Sequence, residues 1–140
     1  MGIELCTTIE LPVVADPQGD LAFAERDNHV PFEIARVFYV YDVPAGATRG
    51  GHAHRTLEQV VFCVAGRLEI VVDDGERSRP FVLDDPRRGL YLPPMVWHDI
   101  GEFEAGTVYL VLASQEFDEG DYVRDRDEFL AAVRAPARDA

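Results

Sequence analysis

Four histidines occur in the 140 residues, and two of them, His52 and His54, stand two apart in Arg49-Gly-Gly-His-Ala-His-Arg55. Alternate side chains of an extended strand share a face, so both imidazoles would enter one space. An apolar run at residues 60–65 follows and ends at Gly66, which sets the pair against a core. Imidazole is the side chain whose ordinary pKa lies near neutrality. Two of them converging at the edge of a core point to proton transfer, and hence to an active site.

The whole-chain numbers narrow the partners. A formal charge of -13 and a pI near 4.5 argue against nucleic acid and against an anionic membrane surface. All 13 basic side chains are arginine. With no lysine, Schiff-base chemistry and Walker-type phosphate binding are excluded, and Arg is left as the fixed cation for diphosphates or carboxylates. Cys6 and Cys63 share no ligand spacing, and Cys63 reads as a small buried hydrophobe. No apolar stretch reaches membrane-span length and no signal-peptide pattern opens the chain, so a cytoplasmic location is expected.

The elements that must hold the pair read as many short strands with Gly/Pro turns. Strands are expected at residues 3–9, 11–14, 21–26 and 32–43, then across the histidine segment. Further strands are expected at Gln59–Ala65, Leu68–Asp73 and Ser78–Leu83, on both sides of residues 93–94, and at 107–113. Gln59–Ala65 and Leu68–Asp73 are expected to flank Gly66 as a hairpin, and Asp74-Gly75 is a second turn signal with Ser78–Leu83 as its return strand. The tail alone looks helical, with Asp125 or Asp127 as cap and Phe129, Leu130 and Val133 on one side; residues 135–140 are expected to fray. One all-β domain follows, closed or two-layered, with an ordered core at about residues 3–134 and a short C-terminal helix.

Spacing adds a frame. Gly46, His52-x-His54, Gln59 and Gly66 resemble the first signature of the cupin barrels, and Gly89-Leu-Tyr-Leu-Pro-Pro-Met-Val-Trp-His98 resembles the second. In metal-binding cupins two His, an acidic residue and a third His hold one divalent ion. Here Gln59 occupies the acidic position, with Glu58 on the opposite face, and an amide binds such an ion less well than a carboxylate.

A narrower resemblance runs from about residue 31 to residue 129. Arg49-Gly-Gly-His-Ala-His-Arg55, Leu57-Glu-Gln59, Asp73-Asp74-Gly75, Gly89-Leu-Tyr91, Val96-Trp97-His98 and Asp121-Tyr122-Val123-Arg124 recur in that order. They resemble the sugar nucleotide 3,4-ketoisomerases that act on dTDP-4-keto-6-deoxyglucose, the WxcM-like cupins. The resemblance implies a metal-free, cofactor-free double-stranded β-helix (jelly-roll barrel), a homodimer with exchanged N-terminal strands, and proton transfer by the His-Ala-His pair. Gln18 stands where that family tends to carry Arg before a turn glycine.

Within that reading His54 is the main base and His52 its partner, an order the sequence leaves interchangeable. Arg49 and Tyr39 would donate to a developing enediolate. Arg36, Tyr41, Gln59, Trp97 and His98 would bind substrate: Arg36 at the diphosphate, Trp97 by stacking on base or sugar. Plain packing is the alternative for Tyr39, Tyr41, Trp97 and His98. Two other functions stay open. One is a metal-dependent, dioxygenase-type cupin using His52, His54, Gln59 and His98; the other is a non-catalytic barrel that binds a sugar nucleotide.

Overall fold

The computed structural model describes residues 2–134, so the fraying expected at residues 135–140 lies outside them. Its longest strands grow from the β-branched runs. β6 (Gln59–Ala65) and β7 (Leu68–Asp73) are joined through Gly66, but the expected hairpin does not form, because the two strands lie in different sheets and the turn carries the chain from one to the other. Leu68, Ile70 and Val72 are fully buried and alternate with half-buried neighbours, the period of a strand with one face in the core. Gly66 sits at φ 81°, and a Cβ there would stand 2.4 Å from Thr107 Oγ1, so the turn requires glycine. β8 (Ser78–Leu83) returns along β7 after a turn in which Gly75 N–H donates to Asp73 Oδ1 at 2.7 Å.

The other strands are β1 (Thr7–Glu10), β2 (Val13–Val14), β3 (Leu21–Ala22), β4 (Arg36–Val40), β5 (Arg49–His54), β9 (Arg88–Leu92), β10 (Trp97–Gly101), β11 (Val108–Ala113) and β12 (Tyr122–Val123). Two five-stranded antiparallel sheets result, in the orders β1-β9-β6-β11-β4 and β12-β5-β10-β7-β8, with β2 and β3 paired apart from both. The sheets face each other as a jelly-roll sandwich, without closing into a barrel.

Three apolar clusters hold the layers. The principal one lies between the sheets and includes Val61, Leu68, Ile70, Val72, Leu90, Val96 and Val111. A second, with Val30, Phe32, Val60 and Phe62, covers the back of the first sheet, which is why β6 is buried on both faces. In the third, α1 (Arg126–Arg134) lays the fully buried Phe129 on Ala53, Trp97 and Val123 behind the second sheet. Truncating such a phenylalanine costs about 3–5 kcal/mol. Asp125 caps α1 by accepting from Asp127 N–H at 2.9 Å.

Several expected strands are shorter. Residues 3–5 form a 3-10 turn, because Ile3 N–H bonds Asp74 and the chain folds back on itself at Leu5 and Cys6. The expected strand at 21–26 pairs as a strand at Leu21–Ala22, with Arg26 left in an isolated bridge to Val30. The one at 32–43 pairs at Arg36–Val40, where β11 lies alongside, and the left-handed Asp42 (φ 56°) ends it.

Candidate active site

The histidines meet because of strand register. His52 on β5 pairs with His98 on β10, and His54 pairs with Tyr122 on β12. A bulge between His98 and Asp99 lets β5 cross close. Gly50 makes that approach possible: at φ 94°, a Cβ would stand 2.9 Å from the His98 carbonyl oxygen. The ring centroids of His52 lie 4.9 Å from His54 and 4.7 Å from His98. Tyr122 covers both members of the pair, at 5.0 Å from His52 and 4.4 Å from His54.

They open on a cavity of about 410 Å³ between the sheets, lined also by Arg49, Gln59, Tyr109 and Arg124. Arg49 Nε donates to the Tyr109 hydroxyl at 3.2 Å. Burial lowers the pKa of His52. Burial, and then the neighbouring His52, push His54 down to about 4 and His98 to about 3. All three rings are therefore neutral at pH 7, able to accept a proton.

Behind His54 stands Asp121, only 7% exposed, its Oδ2 3.4 Å from His54 Nδ1. That is longer than a good hydrogen bond; with a neutral ring it is an electrostatic contact. Asp121 itself is pinned. Its Oδ1 accepts from Thr56 N–H at 2.9 Å and Thr56 Oγ1 at 2.7 Å, and its Oδ2 from Leu57 N–H at 3.1 Å. Burial pushes its carboxyl up, but these donors outweigh it and hold the group below the usual carboxylate range.

Other expected site residues fall elsewhere. On β4 the alternation turns Phe38 and Val40 into the cavity, so Tyr39 and Tyr41, each 62% exposed, point outward and bring no hydroxyl to the histidines of this chain. Trp97 is also displaced from its expected role. It faces the opposite side of β10 from His98, packs 5.5 Å from Phe129 and donates Nε1–H to Asp99 at 3.2 Å. Arg36 shares the inward face of β4 but stands beside His54 and Asp121 at the edge, its guanidinium 5.1 Å from the Phe38 ring. His98 is buried against the Val96 carbonyl at 3.5 Å. Glu58 accepts from the Tyr91 hydroxyl on the far side of β6 from the histidine cavity. Gln18 lies in the exposed turn between β2 and β3. Among the described residues, no group of three or more His, Cys, Asp or Glu side chains is arranged to hold a metal ion.

Comparison with known proteins assigns the architecture. A family profile described as "FdtA: WxcM-like, C-terminal" matches residues 4–134. The chain belongs to this WxcM-like family. A curated relative from Aneurinibacillus thermoaerophilus, a TDP-4-oxo-6-deoxy-alpha-D-glucose-3,4-oxoisomerase, is 40% identical over 86% of this chain and 87% of its own length. The sugar 3,4-ketoisomerase QdtA of Thermoanaerobacterium thermosaccharolyticum, solved with TDP, superposes with TM-score 0.89 at 36% identity, covering 92% of this chain and 94% of that one. The WlaRB TDP-quinovose 3,4-ketoisomerase of Campylobacter jejuni gives TM-score 0.87 at 38% identity, over 91% and 98% of the two chains. Kinship and fold thus set the WxcM-like chain beside sugar 3,4-ketoisomerases. Four of its site residues carry no assigned role on sequence grounds: Tyr109, Asp121, Tyr122 and Arg124. Three of them sit in the Asp121-Tyr122-Val123-Arg124 block, which marked the family before its pairing with β5 gave it a place.

Proposed function

We propose that this WxcM-like enzyme converts dTDP-4-keto-6-deoxyglucose into a dTDP-3-keto-6-deoxyhexose, within deoxysugar biosynthesis. The observation that carries the reading is the opening of two neutral imidazoles onto one cavity, with Arg49 and Arg124 lining it. The reaction moves a carbonyl between adjacent carbons. C3 loses its proton, an enediolate forms, C4 gains a proton, and the hydroxyl proton passes from O3 to O4. No net electrons enter or leave, so no redox cofactor is required.

His52, half-buried where His54 is 4% exposed, has the more open ring and takes the C3 proton. His54, with Asp121 behind it, carries the proton between the oxygens. This exchanges the two labels suggested by sequence, because access decides which ring reaches carbon. Arg49 and the hydroxyls of Tyr109 and Tyr122 stabilise the enediolate, worth about 10²–10³ in rate for one such donor. Gln59 and His98 line the floor against the sugar.

The same reading includes a homodimer with exchanged N-terminal strands. A groove of about 730 Å³ on the back of the first sheet supports it, lined by Leu11, Val13, Phe23, Val37, Val64 and Leu110. Val14 and Leu21 beside it are more than half exposed. Patches of this kind mark association surfaces, and sedimentation should give twice the chain mass. A cytoplasmic setting accords with two buried, unpaired thiols.

NMR of the protein with dTDP-4-keto-6-deoxyglucose in deuterated buffer tests the function. Appearance of the 3-keto isomer with deuterium at C4 is expected. An unchanged substrate spectrum, with no loss of the C3 hydrogen, would sink the assignment.

A further inference from the structure

A protein of charge -13 that binds a dianion must gather positive charge locally. Of the two arginines lining the histidine cavity, Arg49 has its Nε engaged by Tyr109, whereas Arg124 is held by a carboxylate. Its Nε and Nη2 donate to Glu119 Oε1 and Oε2 at 2.9 and 3.1 Å, two parallel bonds. The guanidinium carbon lies 4.0 Å over the Tyr122 ring, whose other ring neighbours are His52, His54 and Phe117. Both partners of the ion pair are more than half exposed.

We propose that Arg124 is the anchor for the substrate diphosphate and that Glu119 is its stand-in, displaced when the nucleotide sugar binds. The proposal rests on the ketoisomerase reading and deepens it. A guanidinium fork fits phosphate oxygens as it fits a carboxylate. An exposed carboxylate pair is weak and screened, while a diphosphate brings more charge and more acceptors to the same fork. The stacked position on Tyr122 keeps the guanidinium aimed at the mouth whichever anion holds it. C3 of the bound sugar and its glycosyl phosphate are separated by half a pyranose ring and one oxygen. An anion on Arg124 therefore sets the reacting carbon toward His52. Glu119 then has two effects: it keeps the empty site from presenting an unpaired cation, and it competes with the ligand.

Competition makes two variants move in opposite directions. TDP and thymidine are titrated separately into the full chain, wild type, Arg124→Gln and Glu119→Gln, by calorimetry and NMR. Loss of the charged fork should weaken TDP by ~10–100-fold while leaving thymidine within about twofold. Loss of the competitor should tighten TDP by ~3–10-fold, most visibly at low salt. Arg124→Lys should recover part of the TDP affinity. TDP binding unchanged in Arg124→Gln, or thymidine lost in parallel, overturns the anchor; weaker TDP binding in Glu119→Gln overturns the stand-in. Wild-type protein that binds no TDP overturns both, together with the ketoisomerase reading, whereas a silent variant beside a TDP-binding wild type overturns the anchor alone.

Discussion

Replacing Asp121 with Asn changes one atom pair behind His54 and should stop most of the turnover. The wild-type carboxylate lies 3.4 Å from His54 Nδ1. At an effective dielectric of ~20, a full charge pair at that distance interacts by about 5 kcal/mol. The donors from Thr56 and Leu57 already draw on that charge, and if about 2 kcal/mol remains for the imidazolium, its loss costs ~30-fold in rate. Tautomerism adds to this. Two donors from Thr56 hold the Oδ1 side, so the amide oxygen of Asn stays there and its NH₂ faces Leu57 N–H and His54 Nδ1. Nδ1 must then accept, and the ring proton moves to Nε2, on the cavity side. A loss of ~10²–10⁴ in kcat is expected, the range for a mis-set acid–base group. Stability should fall by about 1–3 kcal/mol, because Leu57 N–H loses its acceptor. The assay is conversion of dTDP-4-keto-6-deoxyglucose from about pH 3 to pH 9, with urea unfolding and TDP affinity measured alongside. Asp121 raises the His54 pKa against the burial that lowers it, so the variant's acid limb should shift to lower pH. A kcat within about tenfold of wild type, or a reduced kcat with an unmoved acid limb, would refute the reasoning.

His52→Asn should lower kcat by at least ~10³ without loss of TDP affinity, the result expected when the carbon base is removed; single-turnover NMR checks it. Tyr39→Phe should leave kcat/KM within about twofold, since an exposed outward hydroxyl away from such features counts for little; a tenfold loss would return Tyr39 to the site. Gly50→Ala places a Cβ at φ 94° against His98 O, and should cost about 1–3 kcal/mol of stability and reduce activity as β5 is pushed from β10. Stability should also fall in mild acid. His54 has a pKa of about 4 when folded and an ordinary value of 6.5, so the unfolded chain binds the extra proton between those limits. Stability therefore rises with pH through that window, by up to about 3 kcal/mol from His54, with His98 acting in the same direction. An unfolding midpoint unchanged between pH 7 and 4.5 would contradict it.

Much of the architecture is legible in the chain because alternation and turn chemistry agree. β6, β7 and β8 begin and end where the apolar period, Gly66 and Asp74-Gly75 put them. The His52–His54 spacing likewise carries both rings to one face. What escapes is parity without an anchor. On β4 nothing local says whether Arg36 and Phe38 or Val37 and Tyr39 face inward, and a one-residue shift exchanges the faces; the aromatic hydroxyls drew the assignment outward. For Trp97 the signal was present. As the neighbour of an inward His98 on one strand it had to face the other way. Asp121 is hidden for a different reason: its partner lies 67 positions away, and only the pairing of β12 with β5 brings the carboxylate behind the ring.

Trp97 is the molecule's single tryptophan, wedged beneath α1 on one side of β10 while His98 occupies the other. Any shift of that strand as a nucleotide sugar settles must therefore alter the surroundings of the sole indole. Its emission makes an unlabelled optical gauge of occupancy, readable in a stopped-flow instrument with the unaltered enzyme.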